Sequence, residues 1–358
     1  MIITIDKSIF DQYGTPSVDK DIFGKVLHTA KYRYHSVSLS QSCGMEEISN
    51  VDSNDAFFLQ ALFTEYINAK PEVHKSDCLV KVGGEKENVN KIFSLDETYE
   101  YINSPAEIIV EHATNDGRFI RAIEDNFDPS LEFEKLRSEN IVHIDGASGS
   151  GDRSRIEDYL VTHHQKVKFL HCCVIVDGDK RHPNDDRKLK QHEKRIKLYK
   201  RLGVPYHVWE KRSMENYMPD EVFEKNRQKW GKLWVDAFRS LSPIQRDYYD
   251  ISGGFSKDLG PDQPQNHTGL PSGMNTLFNR VSQENFKRLI QSPSIKPYDG
   301  IPTPDIIEEL RSNSMKNCFP TYFLDSNLVR YDTLMTRTSH QEDPDELIHV
   351  AQMIRQII

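Results

Sequence analysis

Asp177 and Asp179 stand either side of Gly178, directly after VKFLHCCVIV (167–176), the most strongly strand-like apolar run of the chain. In extended backbone alternate side chains point the same way, so both carboxylates project together. An apolar strand of this kind is covered on both faces, and open α/β sheets place their ligands beyond the carboxyl ends of such strands. Two carboxylates held together repel each other unless a cation lies between them. Hard oxygen ligands select magnesium, manganese or calcium. An acidic turn after a strand is the plain alternative for Asp-Gly-Asp taken alone. Glu111 strengthens the metal reading, because it too ends a short apolar strand, AEIIVE (106–111), and is followed by a loop and a helix. With the two strands as neighbours, all three carboxylates lie at one sheet edge. A carboxylate there is a metal ligand or a general acid/base for phosphoryl transfer.

The elements that must position these acids alternate. A helix is expected over 116–127 with Phe119, Ile120 and Ile123 on one side, then a second strand in NIVHID (140–145) ending in a Gly/Ser loop. A helix over 153–164 and the strand of 167–176 follow. An amphipathic helix over 186–202 turns Leu189, Ile196 and Tyr199 to one side, Gly203 and Pro205 stop it, and 206–209 begins a fourth strand. Strand–helix alternation of this kind gives a mostly parallel α/β sheet flanked by helices, here over 105–220. Residues 1–104 form an N-terminal region whose fold the pattern does not specify. Within it FFLQALFTEYI (57–67) reads as a helix apolar on most faces, hence a buried one, and KVGGEK (81–86) as a loop. Residues 221–358 read as mainly helical, interrupted by Pro/Gly-rich loops at 260–273 and 292–305. The last helix carries its own signals: Asp343 as cap, Pro344 in first position, Asp345 and Glu346 at the positive end of the dipole. Leu347, Val350, Ala351, Ile354 and Ile358 form its apolar stripe.

Composition narrows the classes. The 358 residues are 37% hydrophobic and 28% charged, as in a soluble globular protein. No run approaches the ~20 apolar residues of a membrane helix, so no membrane partner is expected. The start, MIITIDKSIFDQYG, lacks the layout of a secretory signal. Five scattered cysteines without a CxxC pair fit a reducing cytoplasm rather than a disulfide framework or zinc site. His163, His164, His171 and His182 are too irregularly spaced for zinc. The net charge is −9, yet Lys180 to Arg201 holds ten Lys/Arg against three Asp/Glu. An acidic protein can grip phosphates through one such face, although a solvated helix face is the ordinary reading. GASGSG (146–151) mimics a P-loop, but Asp152-Arg153 stand where that motif needs Lys and Ser/Thr.

Two of these segments, IIVEHATNDGRFIRAI (108–123) and CCVIVDGDKRHP (172–183), together resemble the Toprim domain shared by topoisomerases, bacterial primases and a group of nucleases. Its pattern is a strand ending in Glu, a loop and helix, and a distant strand ending in Asp-x-Asp. The order and the separation of about 65 residues both fit. The family's usual Gly after the Glu is His112 here, and its acidic residue four positions on is Asn115, with Asp116 as the stand-in. A third segment, GVPYHVWEKRSMENYMP (203–219), is similar to the block that follows Asp-x-Asp in OLD-family (overcoming lysogenisation defect) defence nucleases. Glu215, Asn216 and Tyr217 match; Ser213 takes the first acidic position and could equally cap a helix. A looser likeness in SLSPIQRDYYDISGGF (240–255) puts Ser252 where such nucleases supply a lysine, with Lys257 as its replacement.

The resemblance spans about 105–255 and implies a metal-dependent endonuclease acting on DNA or RNA through two Mg2+ (or Mn2+) ions. Glu111, Asp177 and Asp179 would hold the first ion, Asp179 with Glu215 the second, and Asp116 would join them as a further metal ligand. Lys211 would act in catalysis and engage phosphates, with Arg181, Arg187, Lys188, Arg212 and Lys257 on the nucleic acid. Tyr206, Trp209 and Tyr217 could stack bases, but core packing is the ordinary role for each. OLD nucleases carry an ATPase in the same chain. With no Walker A motif here, the resemblance implies a separate ATPase subunit and an anti-phage role, with 1–104 and the helical C-terminal region as framework or docking surface. The alternative is a non-catalytic Toprim scaffold that serves as a binding subunit. A primase or topoisomerase needs further elements for which this chain has little room.

Overall fold

A computed structural model describes residues 2–33, 35–40, 42–43, 45–68, 78–81, 92–146, 161, 170–180, 189–231, 235, 238–239, 243–249, 251 and 319–358. The described chain is α/β, built on two four-stranded parallel sheets flanked by helices. The expectations for 82–86, 153–160, 162–169, 181–188, 260–273 and 292–305 lie outside the described residues, as do Arg181, Arg187, Lys188, Ser252 and Lys257.

The first sheet occupies the N-terminal region, for which the sequence pattern specified no fold. Strands β1 (Ile2–Ile5), β2 (Ser36–Leu39), β3 (Cys78–Val80) and β4 (Ile92–Phe93) pair in the order β2-β1-β3-β4, all parallel. Helix α1 (Lys20–Tyr32) starts at Asp19, whose carboxylate accepts the Ile22 N–H at 3.1 Å, and buries Phe23, Val26, Leu27 and Ala30 against this sheet's core. Helix α2 (Ser53–Asn68) corrects an expectation. It buries Leu59 and Leu62, but Phe57 is 67% and Ile67 54% exposed. A helix that packs along one side cannot cover apolar residues spread around its whole circumference. Helix α3 (Leu95–Asn103) is fixed by a reciprocal capping box between Ser94 and Glu97 and leads into the second sheet.

That second sheet pairs β5 (Ala106–Val110), β6 (Val142–Gly146), β7 (Cys172–Val176) and β8 (Tyr206–Val208) in the order β6-β5-β7-β8, again all parallel. Alternate residues of its central strands enter two cores, as the two-residue period of a strand requires. Ile109, Cys172, Val174 and Val176 meet Tyr199 and Leu202 of helix α5 (Leu189–Leu202) on one face. Ile108, Val110, Cys173 and Ile175 meet Phe119, Ile120 and Ile123 of helix α4 (Ala113–Phe127) on the other. The same core takes in helix α6 (Tyr331–Thr338) through Leu334 and helix α7 (Glu346–Ile357) through Leu347, Val350, Ala351 and Ile354. The expected stripe of the last helix is therefore buried, Ile358 included. Its start is later than expected. The Asp343 carboxylate accepts the Asp345 N–H at 3.1 Å and the Pro344 carbonyl accepts the Thr338 hydroxyl at 2.7 Å, so the helix opens at Glu346. Among the described residues no helix is long and apolar enough to cross a membrane.

Candidate metal centre

The strand order places a topological switch point between β5 and β7: from β5 the chain goes to β6 on one side, then crosses to β7 on the other. A crevice opens at such a point beyond the carboxyl ends of the strands. Glu111 is the first residue after β5 and Asp177 the first after β7. The pairing Ile109↔Val174, continued by two residues, sets Glu111 beside Val176, one position before Asp177. The first sheet has the same strand order, but its corresponding positions hold Asp6 and Lys81. The Asp6 carboxylate is occupied as a cap by the Ser8 N–H at 3.0 Å and the Ser8 hydroxyl at 2.7 Å.

The Asp-Gly-Asp turn is held by backbone. A Cβ on Gly178 would lie 2.4 Å from the carbonyl oxygens of both Trp209 and Lys211, so only glycine lets the two segments approach this closely. Asp179 follows in the left-handed region at φ 51°, and its N–H donates to the Arg212 carbonyl at 2.8 Å. Asp and Asn tolerate that conformation better than most residues. Gly178→Ala is therefore expected to destabilise the protein by about 1–3 kcal/mol, as overpacking does, and to weaken divalent-cation binding. Urea unfolding checks the first effect and cation-dependent melting the second; a variant equal to wild type in both would show that the turn can yield.

Asp116 lies one turn into α4, and its Oδ2 accepts the His112 N–H at 2.8 Å. That bond aims the carboxylate back towards Glu111. Burial pushes its pKa up to about 7, and the negative charges of Glu111 and Glu215 push the same way, against the backbone hydrogen bonds. Glu215 sits in the 3-10 turn Met214–Tyr217. Asn216 Oδ1 accepts both the N–H (3.1 Å) and the hydroxyl (2.9 Å) of Ser213, and its Nδ2 donates to the Arg246 carbonyl at 2.7 Å. Ser213 is thus a capping residue. Asp177 is raised well above the ordinary aspartate range by burial, then by the charges of Glu111, Asp116, Glu215 and Asp179 in that order. It keeps some surface open to solvent while crowded by protein, as at the bottom of a crevice.

The structure so brings together Glu111, Asp116, Asp177, Asp179 and Glu215 from separate segments. Among the described residues no group of three or more His, Cys, Asp or Glu side chains already stands close enough to hold a metal ion. The chemistry of these acids suits a hard divalent cation, because every charge that acts most strongly on Asp177 is negative.

Lys211 is placed differently from the sequence expectation. Its side chain is 1% exposed, and its ammonium donates to Asp247 Oδ1 and to the Arg337 carbonyl at 2.7 Å. Burial and the nearby Arg337 charge push its pKa down to about 7, against the pull of Asp247. In this position it supports the floor of the site instead of meeting phosphates. Arg212, the next residue, is half-buried, with its N–H on the Asp247 carbonyl at 2.9 Å. Trp209 and Tyr217 are core residues, packed on Phe119 at centroid distances of 5.2 and 5.3 Å, and Tyr206 lies against Tyr199 at 5.6 Å.

Sequence reasoning missed the network under the site. Arg337 and His340 both pair with Asp247. Glu346 is fully buried, where it accepts from His207 and the Glu210 N–H at 2.8 Å each and from the Tyr217 hydroxyl. Its local pattern signalled only a helix-dipole acid. Comparison of the chain with protein-family models, curated proteins and solved structures found no match.

Proposed function

We propose that the chain is a divalent-metal-dependent nuclease that hydrolyses phosphodiester bonds of DNA or RNA, with a Toprim-like catalytic region at 105–220. The observation that carries this reading is the gathering of Glu111, Asp116, Asp177, Asp179 and Glu215 at the switch point between β5 and β7. A structural ion-pair cluster would intersperse cations among the acids. The neighbouring network does so, matching Asp247 with Lys211, Arg337 and His340. In the crevice the charges that act most strongly on Asp177 are negative, and like charges crowded together favour a bound cation.

Glu111, Asp177 and Asp179 are suited to hold one Mg2+ or Mn2+, and Asp179 with Glu215 a second. Bound there, the cations supply water activation and stabilisation of charge on the departing oxygen. Asp116, titrating near neutrality with Oδ2 engaged by the His112 N–H, can hold or pass on a proton at Oδ1. Arg212 borders the turn, and Lys194, Lys197, Lys200 and Arg201 line the exposed face of α5, where they can meet phosphates. The resemblance extends the proposal to a separate ATPase subunit in an anti-phage system, docked on 1–104 or the C-terminal helices. The test is incubation with labelled DNA and RNA, with and without magnesium or manganese. Cleavage that needs the cation supports the nuclease. Cation binding without cleavage, in any partner's presence, leaves the scaffold-subunit reading, which the burial of Lys211 favours.

The acids also set a pH dependence. Asp116 and Asp177 have folded pKa values above the ordinary 3.8. Between that value and neutrality the folded state keeps protons that the unfolded chain has released, so their contribution to stability falls as pH rises through this window. A bound cation offsets that loss. The magnesium-induced rise in melting temperature should therefore be larger near pH 7.5 than near pH 5. Equal rises at both pH values would count against coupled carboxylates as the binding site.

A further inference from the structure

The N-terminal region carries an aromatic cleft that the metal-centre reading does not use. His28, Lys31 and Tyr32 of α1, Phe58 of α2 and Glu139 line a groove of about 430 Å³. His28 and Tyr32, one turn apart, present nearly parallel rings with centroids 6.2 Å apart and planes 12° from each other. Phe58 meets His28 edge-on at 6.2 Å, and the Lys31 ammonium stands 5.6 Å from the Phe58 centroid. Tyr32 is 72% exposed, so one ring face is open. Lys25 continues the exposed face of α1 one turn before His28. The groove lies beyond the amino ends of the second sheet. Arg33 at the end of α1 donates to the Ser104 carbonyl at 3.3 Å, and Glu139 precedes β6. The acidic crevice is at the opposite edge, a five-residue strand away, or about 17 Å.

The chemistry of the lining selects the occupant. Among the described residues it contains no Leu, Ile, Val or Met, the side chains that an amphipathic helix or a second apolar surface would engage. Among the described residues it offers aromatic rings beside one lysine, Lys31, and one acid, Glu139, with Lys25 one turn further along α1. Aromatic faces beside lysines suit unpaired bases, since every base has a π-face and each phosphate a negative charge. We propose that this cleft is a second nucleic-acid site, which stacks an unpaired base of single-stranded DNA or RNA on Tyr32 and His28 and sets Lys25 and Lys31 against its phosphates. The choice of occupant rests on the reading of the chain as a nuclease; the cleft itself does not.

The test uses the full chain carrying Asp177→Asn, so that a strand is not cut, with fluorescein-labelled oligothymidylate and oligouridylate in EDTA. Fluorescence anisotropy should show binding that Tyr32→Ala weakens about tenfold, the loss of one stacked base. Lys31→Glu should lower the salt dependence by about one ion or more. Both side chains are exposed, so circular dichroism and melting should match the parent. The two oligonucleotides show whether DNA or RNA is preferred. Unaltered binding in both variants would overturn the proposal, as would no binding together with Tyr32-dependent self-association in sedimentation. The two readings fail separately. Tyr32-dependent binding by a wild-type protein that neither binds magnesium or manganese nor cleaves sinks the metal-centre reading alone. Metal-dependent cleavage with binding indifferent to Tyr32 and Lys31 sinks the cleft alone.

Discussion

Asp177→Asn and Asp179→Asn are each expected to reduce metal-dependent cleavage by about a thousandfold, the scale on which a metal ion's several kcal/mol of transition-state stabilisation is lost, while the protein stays folded. Asn keeps the size and hydrogen-bonding capacity of Asp but not the charge that holds a cation. At Asp179 the backbone sits at φ 51°, which Asn accepts as readily as Asp, and the N–H to the Arg212 carbonyl is unaffected. At Asp177 the substitution removes one of several crowded acids, so the metal-free protein should melt at the same temperature or slightly higher. The magnesium-dependent rise in melting temperature should vanish in both variants. A purely structural turn would tolerate Asn and keep whatever activity the wild type has. Variants that melt and cleave like the wild type at every magnesium concentration would end the metal-centre reading.

Asp247→Ala should destabilise the fold by about 3–5 kcal/mol, the cost of leaving buried charge uncompensated. Lys211 is 1% and Arg337 4% exposed, and both direct their charges at the Asp247 carboxylate. The backbone of Asp247 also anchors the Asp-Gly-Asp turn: its carbonyl accepts the Arg212 N–H, and the Arg212 carbonyl accepts from Asp179. Loosening there should weaken cation binding as well as stability. Pairing Asp247→Ala with Lys211→Met removes one of the stranded cations and should recover part of the loss, which makes the two changes non-additive. Denaturant unfolding of the two single variants and the double variant measures this. A loss below about 1 kcal/mol for Asp247→Ala would mean that water reaches the pair.

Local pattern carried the central strands, because an apolar run followed by acids is a property of consecutive residues. Glu111 and Asp177 were legible as strand-end carboxylates for that reason, and so was the alternation that makes the second sheet parallel. The buried stripe of the last helix followed from its spacing. The first sheet was not legible: among the described residues β3 and β4 span three and two positions, too few to display a period.

What only the tertiary structure decided were relations between distant segments. The strand order β6-β5-β7-β8 turns two separate strand-end acids into one crevice. A hydrogen bond to the His112 N–H brings Asp116 towards Glu111, a distinction between neighbouring polar residues that spacing alone left open. Lys211 shares a segment with Arg212 and reads equally well as a phosphate contact, but its ammonium turns inward because Asp247, 36 residues on, waits there. Glu346 reads as a helix-start acid, yet its partners His207 and Tyr217 lie 139 and 129 residues earlier. Periodicity reports which face of an element is apolar; it holds no information about which polar group folding will bring against another.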